Sequence, residues 1–342
     1  MAYKPEYTIS NSILNYVAEA EAARQIIENS LLVPHWERKF QTEALVRTIH
    51  HSVAIEGNEM NLSETEKIIR GEEVKTVRMR DVQEILNYRD VIEYLAKANS
   101  KVLSIGFLLD LHKQLGRRVL PPEQCGVFRQ KDSAIVSSKT GEVVFDPPPA
   151  AEVKPEIAEL CEWDSASANV NPLLKAGILH YELVRIHPFV DLNGRTSRIV
   201  ATWSMFRDGY DFRKFFSLEE HYDQDTKRYY EALDSANNGD LTEWLEYFTE
   251  GVAIELRRVK EQVLGLSRDR KLIEKMGQVA LNERQIGVIQ YLEENESIRN
   301  QEFRKLFPDI SDDTILRDLK DLIEKKILSK KGRTKAAFYQ LK

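Results

Sequence analysis

The segment Ile186-His187-Pro188-Phe189-Val190-Asp191-Leu192-Asn193-Gly194-Arg195-Thr196-Ser197-Arg198 constrains this chain more than any other. It sets an imidazole, a carboxylate, a turn and two guanidiniums in one short run. Before it, Leu174, Ile178, Tyr181 and Val184 recur at helical spacing, so a buried helix leads in. Asn171-Pro172 starts that helix with a capping residue and then proline at the first helical position. Pro188 ends it, because the residue before a proline is pushed out of the α region. His187 is therefore held at a helix end. Arg195 to Phe206 reads as a second helix. A turn feeding a helix N-terminus offers free backbone N–H groups and the positive end of a dipole, which suits a phosphate. Arg195 and Arg198 share one helix face and can grip one polyphosphate. Asp191 is a hard oxygen ligand suited to magnesium. His187 can take a proton from a hydroxyl near neutral pH.

Singly, each feature has a plainer reading: a structural histidine, an Asn-Gly turn, a solvated arginine face. Their convergence in one helix-turn-helix segment points instead to an anion-handling site. The segment resembles the signature of the Fic family, H-P-F-x-[DE]-G-N-G-R-x-x-R. Eleven of its twelve positions, free ones included, fit. The departure is Leu192, where the family usually has glycine; a leucine there resists positive φ and adds bulk beside the phosphates.

Most Fic proteins move AMP from ATP to a protein hydroxyl. The resemblance implies a mainly α fold with a small β-hairpin flap. It makes His187 the base that deprotonates a Ser, Thr or Tyr of the target and Asp191 the ligand of a Mg2+ on the α- and β-phosphates. The turn residues Leu192, Asn193, Gly194, Arg195 and Thr196 would line the phosphate cradle, and Arg198 would hold the γ-phosphate. Tyr229, Tyr230 and Asn237 match the family's adenine and ribose pocket, although such tyrosines could equally be core residues. Ser52-Val53-Ala54-Ile55-Glu56-Gly57 reads locally as a helix C-terminus with a glycine stop. It also resembles the family's inhibitory motif, [ST]-x-x-x-E-[GN]. On that resemblance Glu56 pairs with Arg198, fills the γ-phosphate site and tilts ATP away from in-line attack.

The rest of the chain reads around this core. Residues 1–100 are a helical region carrying the inhibitory motif, with Ser63-Glu64-Thr65-Glu66 as a capping box. Residues 101–264 are the catalytic core. Within it, Ala134-Ile135-Val136 and Glu142-Val143-Val144-Phe145 form a hairpin around Ser138-Lys139-Thr140-Gly141. By resemblance it is the flap, and Val143, Val144 and Phe145 would hold a target segment by strand addition. Residues 265–280 lack an apolar face and read as a linker. Residues 281–342 read as three helices and a hairpin, a winged helix-turn-helix domain. Arg317, Lys320, Lys330, Lys331, Arg333 and Lys335 offer contacts to DNA phosphates, while Asp318, Asp321 and Glu324 dilute that face. The same fold also serves protein contact or homodimerisation.

The 342 residues suggest two or three domains, and a net charge of −6 gives no overall nucleic-acid footprint. Cys125 and Cys161 offer neither a metal spacing nor a disulfide framework, which fits a cytoplasmic protein. No charge-free apolar run is long enough for a bilayer. The leading expectation is an ATP- and Mg2+-dependent protein adenylyltransferase restrained by Glu56, acting on a target protein and on itself. The alternatives are a nucleotide-sensing DNA-binding regulator, or a Fic-type enzyme with another transfer or de-AMPylation activity.

Overall fold

The computed structural model describes residues 3–30, 32, 34–75, 78–97, 102–136, 143–276, 281–308, 310–325, 327–332 and 337–341. Four helices open the chain: α1 (Asn11–Asn29), α2 (Pro34–Ala54), α3 (Leu62–Ile69) and α4 (Met79–Lys97). Next come α5 (Ile105–Gly116), the hairpin β1 (Ile135–Val136) and β2 (Val143–Phe145), and α6 (Ala150–Ala166). The central pair is α7 (Pro172–Ile186) and α8 (Asn193–Arg207), followed by α9 (Glu219–Gln224), α10 (Thr226–Ser235) and α11 (Thr242–Met276). Last are α12 (Glu283–Glu294), α13 (Asn300–Leu306), α14 (Asp312–Glu324) and the antiparallel pair β3 (Leu328–Lys331) and β4 (Phe338–Leu341).

The chain divides into two compact units, Met1–Asn29 with Phe40–Gln262, and Ser30–Lys39 with Val263–Lys342. The N-terminal helices thus share one unit with the core that follows them. A single apolar cluster explains this. Ile49 and Val53 of α2, Ile85 and Tyr88 of α4, Leu108 and Leu111 of α5, Leu179 and Leu183 of α7, and Ile199 and Val200 of α8 are all buried in it. Helix α7 is buried along nearly its whole length and packs chiefly against α8.

Local signals account for the termini around the site. Asn171 caps α7, its side chain accepting from Leu173 N at 2.9 Å, and Pro172 follows at the first helical position. At the other end His187 takes a left-handed conformation, φ 48°, and its N–H still reaches Leu183 O. The capping box of α3 lies two residues earlier than its sequence suggests. Asn61 and Glu64 exchange the two bonds, so Ser63 and Glu66 lie inside the helix.

Two further expectations change. The charged 265–280 stretch is helical as far as Met276, because α11 runs on through it. In the second unit, Asp318 is turned inward, where it accepts from Arg284 Nε at 2.6 Å and Asn282 Nδ2 at 2.9 Å. It therefore does not dilute the outer face of α14. Val288, Phe303, Ile315, Leu319, Leu322, Leu328 and Tyr339 are among the residues that build that unit's own core. Arg333 and Lys335 lie outside the described residues, as does the 137–142 segment between the flap strands. Among the described residues no helix is long and apolar enough to cross a membrane.

Candidate active site

The loop between α7 and α8 is fixed by its own polar groups. Asn193 Oδ1 accepts from Phe189 N at 2.8 Å and Asn193 Nδ2 donates to Phe189 O at 2.9 Å. Asp191 Oδ1 accepts from Leu192 N at 2.6 Å. Leu192 itself adopts φ 67°, ψ 13°, a left-handed geometry that leucine disfavours. Its side chain is 3% exposed and sits in the main apolar cluster, which offsets that strain. The expected conflict between a leucine and a positive φ is thus settled by burial, and the bulk points inward. The first helical bond of α8 is Thr196 N to Leu192 O, so the N–H groups of Asn193, Gly194 and Arg195 face outward from the helix end.

Glu56 lies at this helix end. It follows α2 in a turn closed by bonds from Glu56 N and Asn58 N to Val53 O, and Gly57 takes φ 89° there. Glu56 Oε1 is 2.9 Å from Arg198 Nη2. A Cβ placed on Gly194 would meet the same oxygen at 2.4 Å, so the carboxylate rests directly against that glycine. Ser52, one turn earlier on α2, completes the grip: its Oγ accepts from Arg198 Nε and its carbonyl from Arg198 Nη2, both at 2.9 Å. Arg198 is 2% exposed. Burial alone would lower its pKa, but the Glu56 carboxylate keeps it above the ordinary arginine value. Behind it Glu219 is also buried, and burial pushes its carboxyl up to about 7 against the opposing pull of Arg198. The charge of Arg198 is therefore balanced chiefly by Glu56.

His187 is half-buried, and its Nδ1 is fully buried. Burial lowers its pKa, and the neighbouring Arg129 lowers it further against the pull of the Val184 carbonyl, Glu56 and Asp191. The ring is thereby kept neutral and ready to accept a proton. Arg129 is a residue that the motif does not announce. Its Nε donates to His187 O at 2.8 Å, its N–H to Pro188 O at 2.9 Å, and its guanidinium to the carbonyls of Lys131 and Pro148. It thus ties the His187 turn to both sides of the hairpin. Asp132 Oδ1 closes the hairpin base by accepting from Ala150 N at 2.7 Å. In the flap, Ile135 pairs with Phe145 and Val136 with Val143; Phe145 is half-buried, and the Val143 and Val144 side chains lie outside the described residues.

A second unannounced residue is His112. Its Nδ1 accepts from Gly126 N at 2.9 Å, so the ring proton is on Nε2, which donates to Asp191 O at 3.1 Å. The ring stacks on Phe189 at 3.7 Å. Burial pulls its pKa down to about 4.

A third group comes from α4. Glu84, buried, accepts from Arg80 Nε at 3.0 Å and from Asn58 Nδ2 at 3.2 Å, and pairs with Arg195 Nη1 at 3.1 Å. Arg80 Nη2 also reaches Asp191 Oδ2 at 3.2 Å. Arg195 is thus held by Glu84 at its outer end, with its Nε buried and without a partner among the described residues.

Several expected wall residues are placed differently. Thr196 is buried and its hydroxyl donates to Leu192 O at 2.8 Å, so neither its side chain nor its N–H is free for a phosphate. The Asn193 side chain is likewise spent on Phe189 and acts as a loop clamp. Tyr229 is 1% exposed, its hydroxyl 2.9 Å from His180 Nε2 and its ring stacked on Tyr222. It belongs to the core beneath the site rather than to an open pocket wall. Tyr230 is half-exposed, and Asn237 is exposed with Oδ1 accepting from Tyr181 Oη at 3.3 Å. Both remain available to a ligand.

Residues 102–205 match the profile of the Fic/DOC family. The chain is 28% identical over 232 residues to a protein adenylyltransferase fic-1 of Caenorhabditis briggsae, covering 65% of this chain and 42% of that one. It is 30% identical over 218 residues to a protein adenylyltransferase Fic of Drosophila willistoni, covering 62% and 41%. It therefore spans about two-fifths of the length of these relatives. A Fic family protein from Desulfovibrio desulfuricans has the same fold, with a TM-score of 0.69 at 24% identity over 99% of this chain and 98% of that chain.

Proposed function

We propose that this protein transfers AMP from ATP to a hydroxyl side chain of a target protein, and that Glu56 restrains it. The observation that carries the reading is the Glu56 carboxylate resting on Gly194 at the α8 N-terminus while bonded to buried Arg198. An anion already sits where the helix end and the arginine would receive the outer phosphate of a triphosphate. The relatives named as adenylyltransferases support the choice of ATP and of AMP transfer.

With Glu56 withdrawn, Arg198 and the N–H groups of Gly194 and Arg195 are free for the β- and γ-phosphates. The neutral His187 ring takes the proton of the target hydroxyl through Nε2. The hydroxyl oxygen then bonds to the α-phosphorus, the bond from that phosphorus to the bridging oxygen breaks, and pyrophosphate leaves. Asp191 suits a divalent ion: one carboxylate plus substrate phosphates is a usual magnesium set, and Arg80 already places a positive group on Asp191 Oδ2. Bound there, Mg2+ would neutralise charge on the α- and β-phosphates. The β1–β2 hairpin, tied to the His187 turn through Arg129, would hold the target segment by strand pairing.

Intact-mass measurement tests the reading. Glu56→Gly incubated with MgATP and candidate substrates gains one AMP on itself or on a partner, Glu56→Gly/His187→Ala gains none, and the unaltered protein gains less. Transfer of a phosphate instead would identify a kinase and overturn the AMP assignment.

A second reading concerns the second unit. Because Asp318 faces inward, Arg317, Lys320, Lys330 and Lys331 are exposed with less acidic dilution than the sequence suggests. We propose contact with DNA phosphates there. A salt-sensitive gel shift that is lost in Arg317→Ala/Lys320→Ala supports it, and an unchanged shift or none refutes it.

A further inference from the structure

Asp191 is the only acid in the loop between α7 and α8, and both of its oxygens are engaged. Oδ1 accepts from Leu192 N, and Oδ2 lies 3.2 Å from Arg80 Nη2. A divalent ion that approaches the outer oxygen of Asp191 therefore meets the charge of Arg80 already there. Arg80 is not free to drift away, since its Nε donates to Glu84 Oε1 at 3.0 Å. Glu84 is anchored in turn. Its side chain is 7% exposed, pairs with Arg195 and accepts from Asn58, two residues beyond Glu56. The Arg80 guanidinium itself is 57% exposed and Asp191 44% exposed, so their contact is the loosest link of this chain.

Resting on the nucleotide reading above, we propose that Arg80 is a positioning residue that stands in for the divalent ion in the resting protein. It holds Asp191 in place by charge, and the ion entering with ATP displaces it. The geometry makes the exchange small. Arg80 gives up one bond through Nη2 and keeps the other through Nε, so the guanidinium stays beside the site. A cation is thus present at Asp191 both before and after loading, and the Asp191 carboxylate is never left unpaired near the negative phosphates.

Competition is the consequence. Removing the guanidinium removes the competitor, and an exposed pair of this kind shifts a binding equilibrium by about two- to fivefold. The test uses the full chain carrying Glu56→Gly and follows binding of a fluorescent N-methylanthraniloyl ATP as Mg2+ is titrated, with no transfer required. Adding Arg80→Gln lowers the Mg2+ concentration for half-maximal binding by about two- to fivefold, and Arg80→Lys gives a smaller fall. An unchanged midpoint refutes the competition. A higher midpoint refutes it too and makes Arg80 a direct phosphate ligand. If Glu56→Gly itself binds no fluorescent ATP at any Mg2+ concentration, the nucleotide reading has failed and takes this proposal with it. If that parent binds and only the midpoint fails to move, the proposal alone is lost.

Discussion

Glu56 Oε1 bonds Arg198 Nη2 at 2.9 Å across 142 residues of chain, and the same oxygen lies against Gly194. The two ends of the pair differ in exposure, 1% for the arginine side chain and 29% for the glutamate. The arginine is thus a fixed buried cation, and the glutamate is its removable partner. Removing Glu56 leaves Ser52 still bonded to Arg198 Nε and Nη2, so the guanidinium keeps its place for another anion.

This contact makes Gly194→Ala informative. The new methyl would overlap Glu56 Oε1, the end of a partly exposed side chain, and would push the carboxylate off the helix end. In the Glu56 protein the substitution costs about 1–2 kcal/mol. In Glu56→Gly the methyl still meets Arg198 Nη1 at 3.1 Å, and the helix preference of alanine over glycine, up to about 1 kcal/mol, offsets that tightness, so the substitution is close to neutral. Urea unfolding of the four proteins in the cycle measures the coupling, expected at about 1–3 kcal/mol. A coupling of zero would mean that Glu56 does not sit over Gly194 in solution.

Leu192 sets burial against backbone strain. Leu192→Gly relieves a left-handed conformation worth about 1–2 kcal/mol and loses a buried side chain worth about 2–5 kcal/mol. The net expectation is a loss of about 1–3 kcal/mol. Leu192→Ala keeps most of the strain and loses nearly all of the burial, so it is the less stable of the two. Denaturant midpoints rank them. Leu192→Gly coming out more stable than the parent would show that the side chain anchors nothing.

The balance at Leu192 marks what the sequence could and could not convey. The stretch from Asn171 to Arg198 carries its own local chemistry, so the cap at Asn171-Pro172, the stop at Pro188 and the helix beyond Gly194 are all readable from it. Whether a leucine at a glycine position would bend or block the turn depends on the apolar cluster it joins, which includes residues as distant as Ile49 and Leu111. Thr196 and Tyr229 face inward for a related reason. Motif position says which residues are near a site, but inward or outward direction is decided by packing. Arg80, Glu84, His112 and Arg129 were missed because each acts through contacts far along the chain. The Arg80 to Asp191 bond, for example, spans 111 residues. An Arg-x-x-x-Glu pair on a helix looks like any solvated face until its second partners are known.

His112 predicts a pH dependence of stability. Burial holds its pKa at about 4, against an ordinary value of 6.5. Between these values the unfolded chain binds a proton that the native protein does not, so stability rises with pH across the window. Equivalently, the neutral ring's contribution is complete above pH 6.5 and is lost as the pH falls towards 4. The full difference is at most about 3 kcal/mol. His112→Gln keeps a donor towards Asp191 but does not titrate. Its unfolding free energy should fall less than the parent's between pH 7 and pH 4.5, by about 2 kcal/mol. Parallel curves for the two proteins would show that His112 is not held neutral.

Arg129 offers the sharpest separation of positioning from binding. Its guanidinium is buried and spends its donors on the carbonyls of Lys131, Pro148 and His187, with Ile186 O at 3.4 Å. Lysine has the charge but not the planar fork, so Arg129→Lys cannot satisfy these acceptors together. The His187 turn and the hairpin should then loosen from each other, while Arg198 and the α8 N-terminus are untouched. In the Glu56→Gly background we expect the rate of AMP transfer to fall by about 10–100-fold, as misplacement of a reacting group does. The affinity for MgATP should change by less than about threefold, because none of the phosphate-facing groups depends on Arg129. Loss of stability by about 1–3 kcal/mol from unpaired buried carbonyls should accompany it. Single-turnover rates and direct nucleotide-binding measurements on the same variant distinguish the two effects. If binding fell as far as the rate, Arg129 would be supporting the whole site and not the His187 turn alone.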